Sequence, residues 1–82
     1  MLYEIYGTQN CTFCHKAQQL LTEHDKTYTF IDVSQNQNVM AAFLSKFPGV
    51  TKVPQIVLGD DHIGGYQELR NSLTLDQIES IL

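Results

Sequence analysis

The spacing of apolar and polar residues changes several times along the chain, and each change predicts an element. Residues 2–6 alternate and are rich in β-forming side chains, which predicts a strand ended by Gly7. The polar residues 7–10 then predict a turn. From Thr12 to about Glu23 apolar side chains recur every three or four residues, which predicts a helix. The members of this apolar stripe are Phe13, Cys14, Ala17, Leu20 and Leu21.

The middle of the chain predicts a second strand and a second helix. Residues 27–33 alternate strongly and carry aromatic and β-branched side chains, as strands do. The polar run 34–38 can cap a helix that follows it and that ends at Pro48. Four apolar residues are expected on one face of this helix: Val39, Phe43, Leu44 and Phe47.

The last third of the chain predicts a hairpin followed by helix. Residues 53–58 form a strand, residues 59–61 a tight turn, and His62-Ile63 a short returning arm. Gly64-Gly65 break that arm. One or two helices are then predicted from the apolar residues Leu69, Leu73, Ile78, Ile81 and Leu82.

The predicted order β-α-β-α-β-β-α indicates an α/β fold. The two strands of a strand–helix–strand unit run parallel and are joined by a right-handed crossover, whereas the two strands of a hairpin are antiparallel. The sequence therefore predicts a four-stranded mixed sheet flanked by helices. Cys11 falls at the carboxyl end of the first strand, which is where open α/β folds place their chemistry.

The composition of the 82 residues fits one small folded domain, and we expect residues 1–82 to form it. Hydrophobic residues make up 43% and charged residues 17%, which opposes disorder. A net charge of −4 opposes general binding to nucleic acid or to anionic membranes. The longest apolar run, residues 39–44, is far too short to span a membrane. Because no basic segment precedes an apolar stretch at the start, we expect no signal peptide and a cytoplasmic location.

The two cysteines, Cys11 and Cys14, are the candidate chemistry. Cys11 is expected at a helix N-terminus, where unpaired backbone N–H groups and the helix dipole favour the nucleophilic thiolate. Cys14 lies one turn inside and can attack a mixed disulfide formed on Cys11. The spacing therefore suits thiol–disulfide exchange.

Three other roles of the pair stay open at this point. A purely structural bridge would close too small a loop to stabilise the chain much. A zinc site needs a second close pair of ligands, which His15, His24 and His62 do not supply. His15 also completes a haem-attachment signature, but strong strands oppose haem, and Met40 is expected in the core. We expect His15 to be an exposed helix residue that modestly favours the Cys11 thiolate when protonated.

Three separated segments together resemble a small dithiol glutaredoxin. They are Cys11-Thr12-Phe13-Cys14, Val53-Pro54-Gln55-Ile56 and His62-Ile63-Gly64-Gly65-Tyr66. The resemblance covers nearly the whole chain and implies a thioredoxin-like fold. It also implies glutathione-dependent reduction of protein disulfides and glutathione mixed disulfides, with Cys11 as the attacking and Cys14 as the resolving cysteine. Ribonucleotide reductase is a frequent client of the family, and no tightly bound cofactor is implied.

The resemblance implies a glutathione site as well. Pro54 would be a cis-proline that turns the Val53 backbone toward Cys11, where it can pair with an extended peptide. Gly64 and Gly65 let the backbone approach a ligand, and the helix that begins near Tyr66 offers free N–H groups to a carboxylate. The implied glutathione-binding residues are Phe13, Lys52, Val53, Pro54, Gly65, Tyr66, Gln67 and Glu68.

Several residues depart from the family pattern. Thr12 replaces a proline within the motif, which can shift the reduction potential. Thr8 stands where many members carry a cation, and Lys16 or Lys52 can compensate for that lost charge. Lys52 can also reach the glycine carboxylate of glutathione. Glu68 can pair with the γ-glutamyl amine, or simply favour the start of a helix.

Two alternatives keep the fold but change the function. The first is a redoxin reduced by thioredoxin reductase, which the absence of tryptophan and the His62–Tyr66 motif oppose. The second is a glutathione-ligated iron–sulfur carrier, which Cys14 opposes because it offers an internal disulfide instead. A monomer is expected for a small electron-transfer domain with transient partners.

Overall fold

Seven elements follow one another in the predicted order. The computed structural model describes residues 2–50 and 52–81, with the backbone alone for residues 76–81. The elements are β1 (Tyr3–Gly7), α1 (Thr12–Glu23), β2 (Tyr28–Asp32), α2 (Gln37–Lys46), β3 (Gln55–Leu58), β4 (Asp61–Gly64) and α3 (Tyr66–Ile81). The C-terminal segment is therefore one helix, and the side chains of Ile78, Ile81 and Leu82 lie outside the described residues.

The four strands form one mixed sheet in the order β2-β1-β3-β4. β1 and β2 are parallel, with Tyr3 opposite Tyr28, as the strand–helix–strand unit predicts. β3 runs antiparallel to β1, with Ile5 opposite Ile56, and β3 and β4 form the predicted antiparallel hairpin. The sequence did not predict the β1–β3 pairing, which places the start of β3 beside the end of β1.

The two faces of the sheet carry separate hydrophobic clusters. Successive strand residues point to opposite faces, so Ile5 and Ile56 join one cluster and Tyr6 and Val57 the other. The first cluster packs against α1 and α3, through residues that include Leu21 and Leu69. The second is covered by α2, whose Phe43 and the following Phe47 are buried.

Hydrogen bonds fix the ends of the helices. Asn36 caps α2 by accepting from the Val39 N–H at 2.9 Å, as the polar run predicts. After α1, Asp25 adopts a left-handed conformation with φ of 56°. The Lys26 N–H then bonds to the Leu21 carbonyl at 2.9 Å, which closes the helix and turns the chain toward β2.

Three expected core residues are wrong. Met40 is 37% exposed and Leu44 49% exposed, since both lie on the outer side of α2. Phe13 is 51% exposed because the first turn of α1 extends past the core. Two boundaries also differ: Gly7 belongs to β1, and β3 begins at Gln55, after Val53 and Pro54.

Candidate functional site

The cysteine pair lies at the start of α1. Cys11 is the N-cap residue, and its Sγ accepts from the Cys14 N–H at 3.1 Å. The two residues form a disulfide with their Cα atoms 5.2 Å apart. Cys11 therefore lies where the resemblance implies an attacking cysteine. Its sulfur receives a backbone N–H at the positive end of the helix dipole, which favours a thiolate in the reduced form.

The two sulfurs differ in accessibility. Cys14 is fully buried, whereas Cys11 is half-buried. Gly7 makes the burial of Cys14 possible, because a Cβ at that position would lie 2.5 Å from the Cys14 Sγ and 3.2 Å from Phe30. An incoming thiol can therefore reach the Cys11 sulfur and not that of Cys14.

The loop before β3 faces Cys11. The Val53–Pro54 peptide bond is cis, as the resemblance implied, and the Val53 carbonyl oxygen lies 3.8 Å from the Cys11 Sγ. The loop is tied to β3 by the Gln55 Nε2, which donates to the Lys52 carbonyl at 3.0 Å. Backbone groups of Val53 are therefore close enough to Cys11 to align a peptide bound there.

A cleft of about 460 Å³ opens beside this loop. That volume suits a small-molecule ligand. The cleft brings together all eight residues of the implied glutathione site: Phe13, Lys52, Val53, Pro54, Gly65, Tyr66, Gln67 and Glu68. Gln55 and Gly64 also line it.

Two aromatic rings form an apolar side of the cleft. The centroids of the Phe13 and Tyr66 rings are 5.6 Å apart, so they join the starts of α1 and α3. The Lys16 Nζ lies 4.8 Å from the Phe13 ring centroid, in a cation–π contact. Exposure of Phe13, which the core pattern did not predict, is therefore explained by its position in the cleft.

The start of α3 forms the far side of the cleft. Gly65 precedes the helix, and its N–H donates to the Glu68 Oε1 at 2.9 Å, the reciprocal half of a capping box. Since Gly65 has no side chain to accept from the next N–H groups, the first turn remains open toward the cleft. A Cβ on Gly65 would lie 3.7 Å from the Pro54 carbonyl, which shows how closely this turn approaches the loop.

Two of the three cations expected near Cys11, His15 and Lys16, make other contacts. The exposed ring of His15 bonds through its Nε2 to the Gln9 carbonyl at 2.6 Å, so it fixes the loop before Cys11. Lys16 lies over Phe13, as described above. Lys52 is exposed at the edge of the cleft.

Two ionisable groups outside the cleft have shifted pKa values. Hydrogen bonds from the Ser34 hydroxyl and N–H, with a smaller contribution from the Gln9 side chain, lower the pKa of Asp32. The bond from the Lys46 Nζ to the Tyr6 hydroxyl raises the pKa of Lys46. Asp32 therefore stabilises the turn after β2, next to the loop that leads to Cys11.

Gly7 and Gln55 were given no role in the site from the sequence, and Gly64 was expected only to let the backbone approach a ligand. Gly7 was taken only as the end of a strand, although a glycine just before a candidate helix start can mark close packing. Gly64 has φ of 121°, and a Cβ there would lie 2.9 Å from the Glu68 Oε1. Gln55 is a nearly buried amide in a strand, 9% exposed, and a buried polar side chain requires partners.

Two searches of the described residues were negative. No cluster of three or more potential metal ligands occurs within residues 2–50 and 52–81. Over the same part of the chain, no helix combines the length and apolar character that crossing a membrane requires.

The sequence is similar to known proteins over most of its length. A sequence model of the glutaredoxin family matches residues 3–63. Glutaredoxin 1 of Rickettsia prowazekii is 33% identical over 79 residues, which cover 95% of this chain and 83% of that protein. Glutaredoxin 1 of Rickettsia typhi is 38% identical over 68 residues, covering 82% of this chain and 65% of the relative. The match thus spans just under two thirds of the latter protein.

Solved structures agree on the fold. The solution structure of a glutaredoxin from Brucella melitensis has a TM-score of 0.75 at 28% identity, covering 98% of this chain and 86% of that one. A buckwheat glutaredoxin–glutathione complex has a TM-score of 0.77 at 22% identity, covering 98% of this chain and 74% of that one. At that lower identity the likeness shows the fold alone, the thioredoxin-like fold that the resemblance implied. The chain belongs to the glutaredoxin family, and Cys11 and Cys14 form its disulfide.

Proposed function

We propose that this protein is a glutathione-dependent dithiol oxidoreductase that reduces protein disulfides and glutathione mixed disulfides. The observation that carries the proposal is the unequal exposure of the bridged cysteines, beside a cleft of tripeptide size. Of the two bridged cysteines only Cys11 is accessible, and the cleft beside it offers a place for the reductant.

Cys11 starts the reaction in the reduced protein. Its thiolate attacks one sulfur of the substrate disulfide, forms a mixed disulfide and expels the other sulfur as a thiolate. With a protein substrate, Cys14 then attacks the Cys11 sulfur, which releases the second substrate thiolate and forms the Cys11–Cys14 disulfide. The substrate gains two electrons and the protein loses two.

Glutathione returns the two electrons. One glutathione thiolate attacks the exposed Cys11 sulfur and releases the Cys14 thiolate. A second glutathione attacks the sulfur of the bound glutathione, and oxidised glutathione leaves with Cys11 reduced. With a substrate already mixed with glutathione, the Cys11 thiolate attacks the glutathione sulfur and expels the substrate thiolate, and only this last step then follows, so Cys14 is not needed.

The cleft supplies groups for each part of glutathione. The open first turn of α3 can bind the γ-glutamyl carboxylate, and Glu68 can pair with the amine beside it. The Val53 backbone can pair with the cysteinyl unit, since its carbonyl lies 3.8 Å from the Cys11 Sγ. Lys52 at the edge of the cleft can attract the glycine carboxylate. A buckwheat glutaredoxin of the same fold was solved in complex with glutathione.

The test is NADPH oxidation coupled through glutathione reductase, with a small glutathione mixed disulfide as substrate. We expect turnover by the wild type and by Cys14→Ser, and none by Cys11→Ser. With a protein disulfide as substrate, Cys14→Ser should fail as well, because it cannot resolve the intermediate. This pair of substrates separates the dithiol from the monothiol step.

Two results would contradict the proposal. Turnover with thioredoxin reductase but not with glutathione would keep the redox centre and remove the glutathione site. Loss of activity in Cys14→Ser with the small mixed disulfide would mean that Cys14 does more than resolve. We further propose the cytoplasm as location and ribonucleotide reductase as a candidate client, to be tested by fractionation and by ribonucleotide reduction with purified components.

A further inference from the structure

We propose that Gln55 and His62 are positioning residues that hold the Lys52–Pro54 loop against Cys11. The loop presents the Val53 backbone to the attacking sulfur, yet it precedes the first hydrogen-bonded residue of β3. Something other than the sheet must therefore set its distance from Cys11. The side chains of Gln55 and His62 form a continuous contact from the hydrophobic core to this loop.

The Lys52 carbonyl determines which groups donate and which accept in both hydrogen bonds. A carbonyl can only accept, so the group 3.0 Å from it must be the Gln55 Nε2 and not the Oε1. The Oε1 then faces the His62 Nε2 at 2.7 Å and requires a proton from it. His62 is thus a donor at Nε2 whether the ring is neutral or charged. The arrangement has one consistent direction: His62 donates to Gln55, and Gln55 donates to Lys52.

The core holds the other end. The His62 ring packs on the Phe47 ring with centroids 4.6 Å apart, and Phe47 is 5% exposed in the cluster beneath α2. Gln55 is itself nearly buried, so its amide loses little additional freedom on making both bonds. The loop is therefore tied through the side chains of Gln55 and His62 to the buried Phe47.

The expected consequence depends on the type of substrate. A substrate with a peptide backbone beside its disulfide needs the Val53 backbone in place, whereas a small aromatic disulfide does not. Displacing the loop should therefore slow the first and spare the second. The inference rests on the proposed function only for the glutathione-containing substrate; a cyclic peptide disulfide tests it without glutathione.

Three variants separate the hydrogen bonds from packing. His62→Phe keeps a ring on Phe47 but removes the donor, and Gln55→Leu removes both bonds at similar volume. His62→Gln places an amide nitrogen near the former Nε2, so it should restore the bond. Gln18→Leu is the matched control, because Gln18 accepts from the Tyr28 hydroxyl at 3.3 Å on the far side of α1, away from the cleft.

Single-turnover rates of the reduced variants give the decisive comparison. The three substrates are an aromatic disulfide, the cyclic peptide disulfide and oxidised glutathione. For His62→Phe and Gln55→Leu we expect an about tenfold slower reaction with both peptide disulfides, the loss of roughly one hydrogen bond, and an unchanged rate with the aromatic disulfide. His62→Gln should be close to the wild type, and Gln18→Leu should react normally with all three.

The inference is overturned if the two variants slow all three reactions alike, if neither reaction with a peptide disulfide slows, or if His62→Gln fails to restore the rate. A wild type that reacts with the cyclic peptide but not with oxidised glutathione would overturn the glutathione proposal alone. The cyclic peptide series would then still decide the role of Gln55 and His62.

Discussion

The two helices that border the cleft begin in different ways. At α1 the cap is Cys11, whose sulfur accepts the Cys14 N–H at 3.1 Å. At α3 the preceding residue is Gly65, which has no side chain, and Glu68 bonds to the Gly65 N–H at 2.9 Å instead. The same electrostatic property, a positive helix N-terminus, thus stabilises the protein's own sulfur at α1 and remains open for a ligand's carboxylate at α3.

The difference shows how one fold uses the start of one helix for reaction and the start of another helix for binding. A reacting group must be part of the chain, so the α1 cap is a side chain that can gain and lose a bond. A binding site must be empty before the ligand arrives, so the α3 cap is a glycine. The Phe13–Tyr66 contact, at 5.6 Å between ring centroids, keeps the two helix starts together.

The largest effect is expected at the α1 cap. Cys11→Ser should lower turnover by about 1,000-fold or more, because the hydroxyl is a far weaker nucleophile than a thiolate. Since serine is a good N-cap, the free energy of unfolding of the reduced protein should change by less than about 0.5 kcal/mol. Coupled turnover and urea denaturation measure the two effects. Cys11→Ala is the control that loses the cap as well, and a Cys11→Ser protein as unstable as Cys11→Ala would contradict the capping role.

A smaller effect is expected where β4 meets α3. Gly64→Ala places a side chain at φ of 121° and 2.9 Å from the Glu68 Oε1, so it should destabilise the protein by about 1–3 kcal/mol. Gly65→Ala, the adjacent control, meets its nearest atoms at 3.4 and 3.7 Å and should change stability by less than about 0.5 kcal/mol. Thermal and urea unfolding compare them. Equal destabilisation would show that the strain does not reside at Gly64.

Glu68 separates the two roles of the α3 start. Glu68→Gln keeps an oxygen for the Gly65 N–H but removes the charge, so it should raise the KM for glutathione by up to about fivefold, as for an exposed ion pair. Glu68→Ala should add a loss of about 0.5–1 kcal/mol from the missing cap. Steady-state kinetics measure the KM for glutathione, and urea denaturation measures the free energy of unfolding. A Glu68→Gln protein with the wild-type KM would leave Glu68 as a cap only.

The smallest effect is expected on stability in acid, at Asp32, which lies at the end of β2 next to the loop that leads to Cys11. Because Ser34 lowers the pKa of Asp32, ionised Asp32 stabilises the fold above its unfolded pKa. That stabilisation is lost as the pH falls through the lower folded pKa. The wild type and Asp32→Asn should therefore differ in stability near neutral pH and converge in acid. Urea denaturation at several pH values measures this, and a difference that stays constant would contradict it.

The local elements followed from the sequence. Alternation in residues 27–33 predicted β2, and the three- to four-residue spacing from Thr12 predicted α1, because these periods reflect the geometry of one strand or one helix. The position of Cys11 at a helix start also followed from local order. Met40 and Leu44 were wrongly expected to be buried, because the apolar residues of α2 occupy more of the helix than the sheet covers. Both side chains are exposed.

The site required more than local pattern. The implied glutathione residues came from a resemblance in three separate motifs, at residues 11–14, 53–56 and 62–66, and nothing in their spacing places them together. The antiparallel pairing of β3 with β1 brings Val53 beside Cys11, since it puts the start of β3 next to the end of β1. The bonds from His62 through Gln55 to Lys52 depend on that pairing and on the β3–β4 hairpin.

The sequence by itself determined the elements, their order and the reactive pair, because each depends on neighbours within about one or two helical turns. The tertiary structure decided which sulfur is accessible, how the cleft is closed on both sides and what holds its loop. These properties depend on contacts between different elements, such as Gly7 of β1 against Cys14 of α1 and the loop residue Val53 against Cys11. Such contacts are fixed by packing of the whole domain.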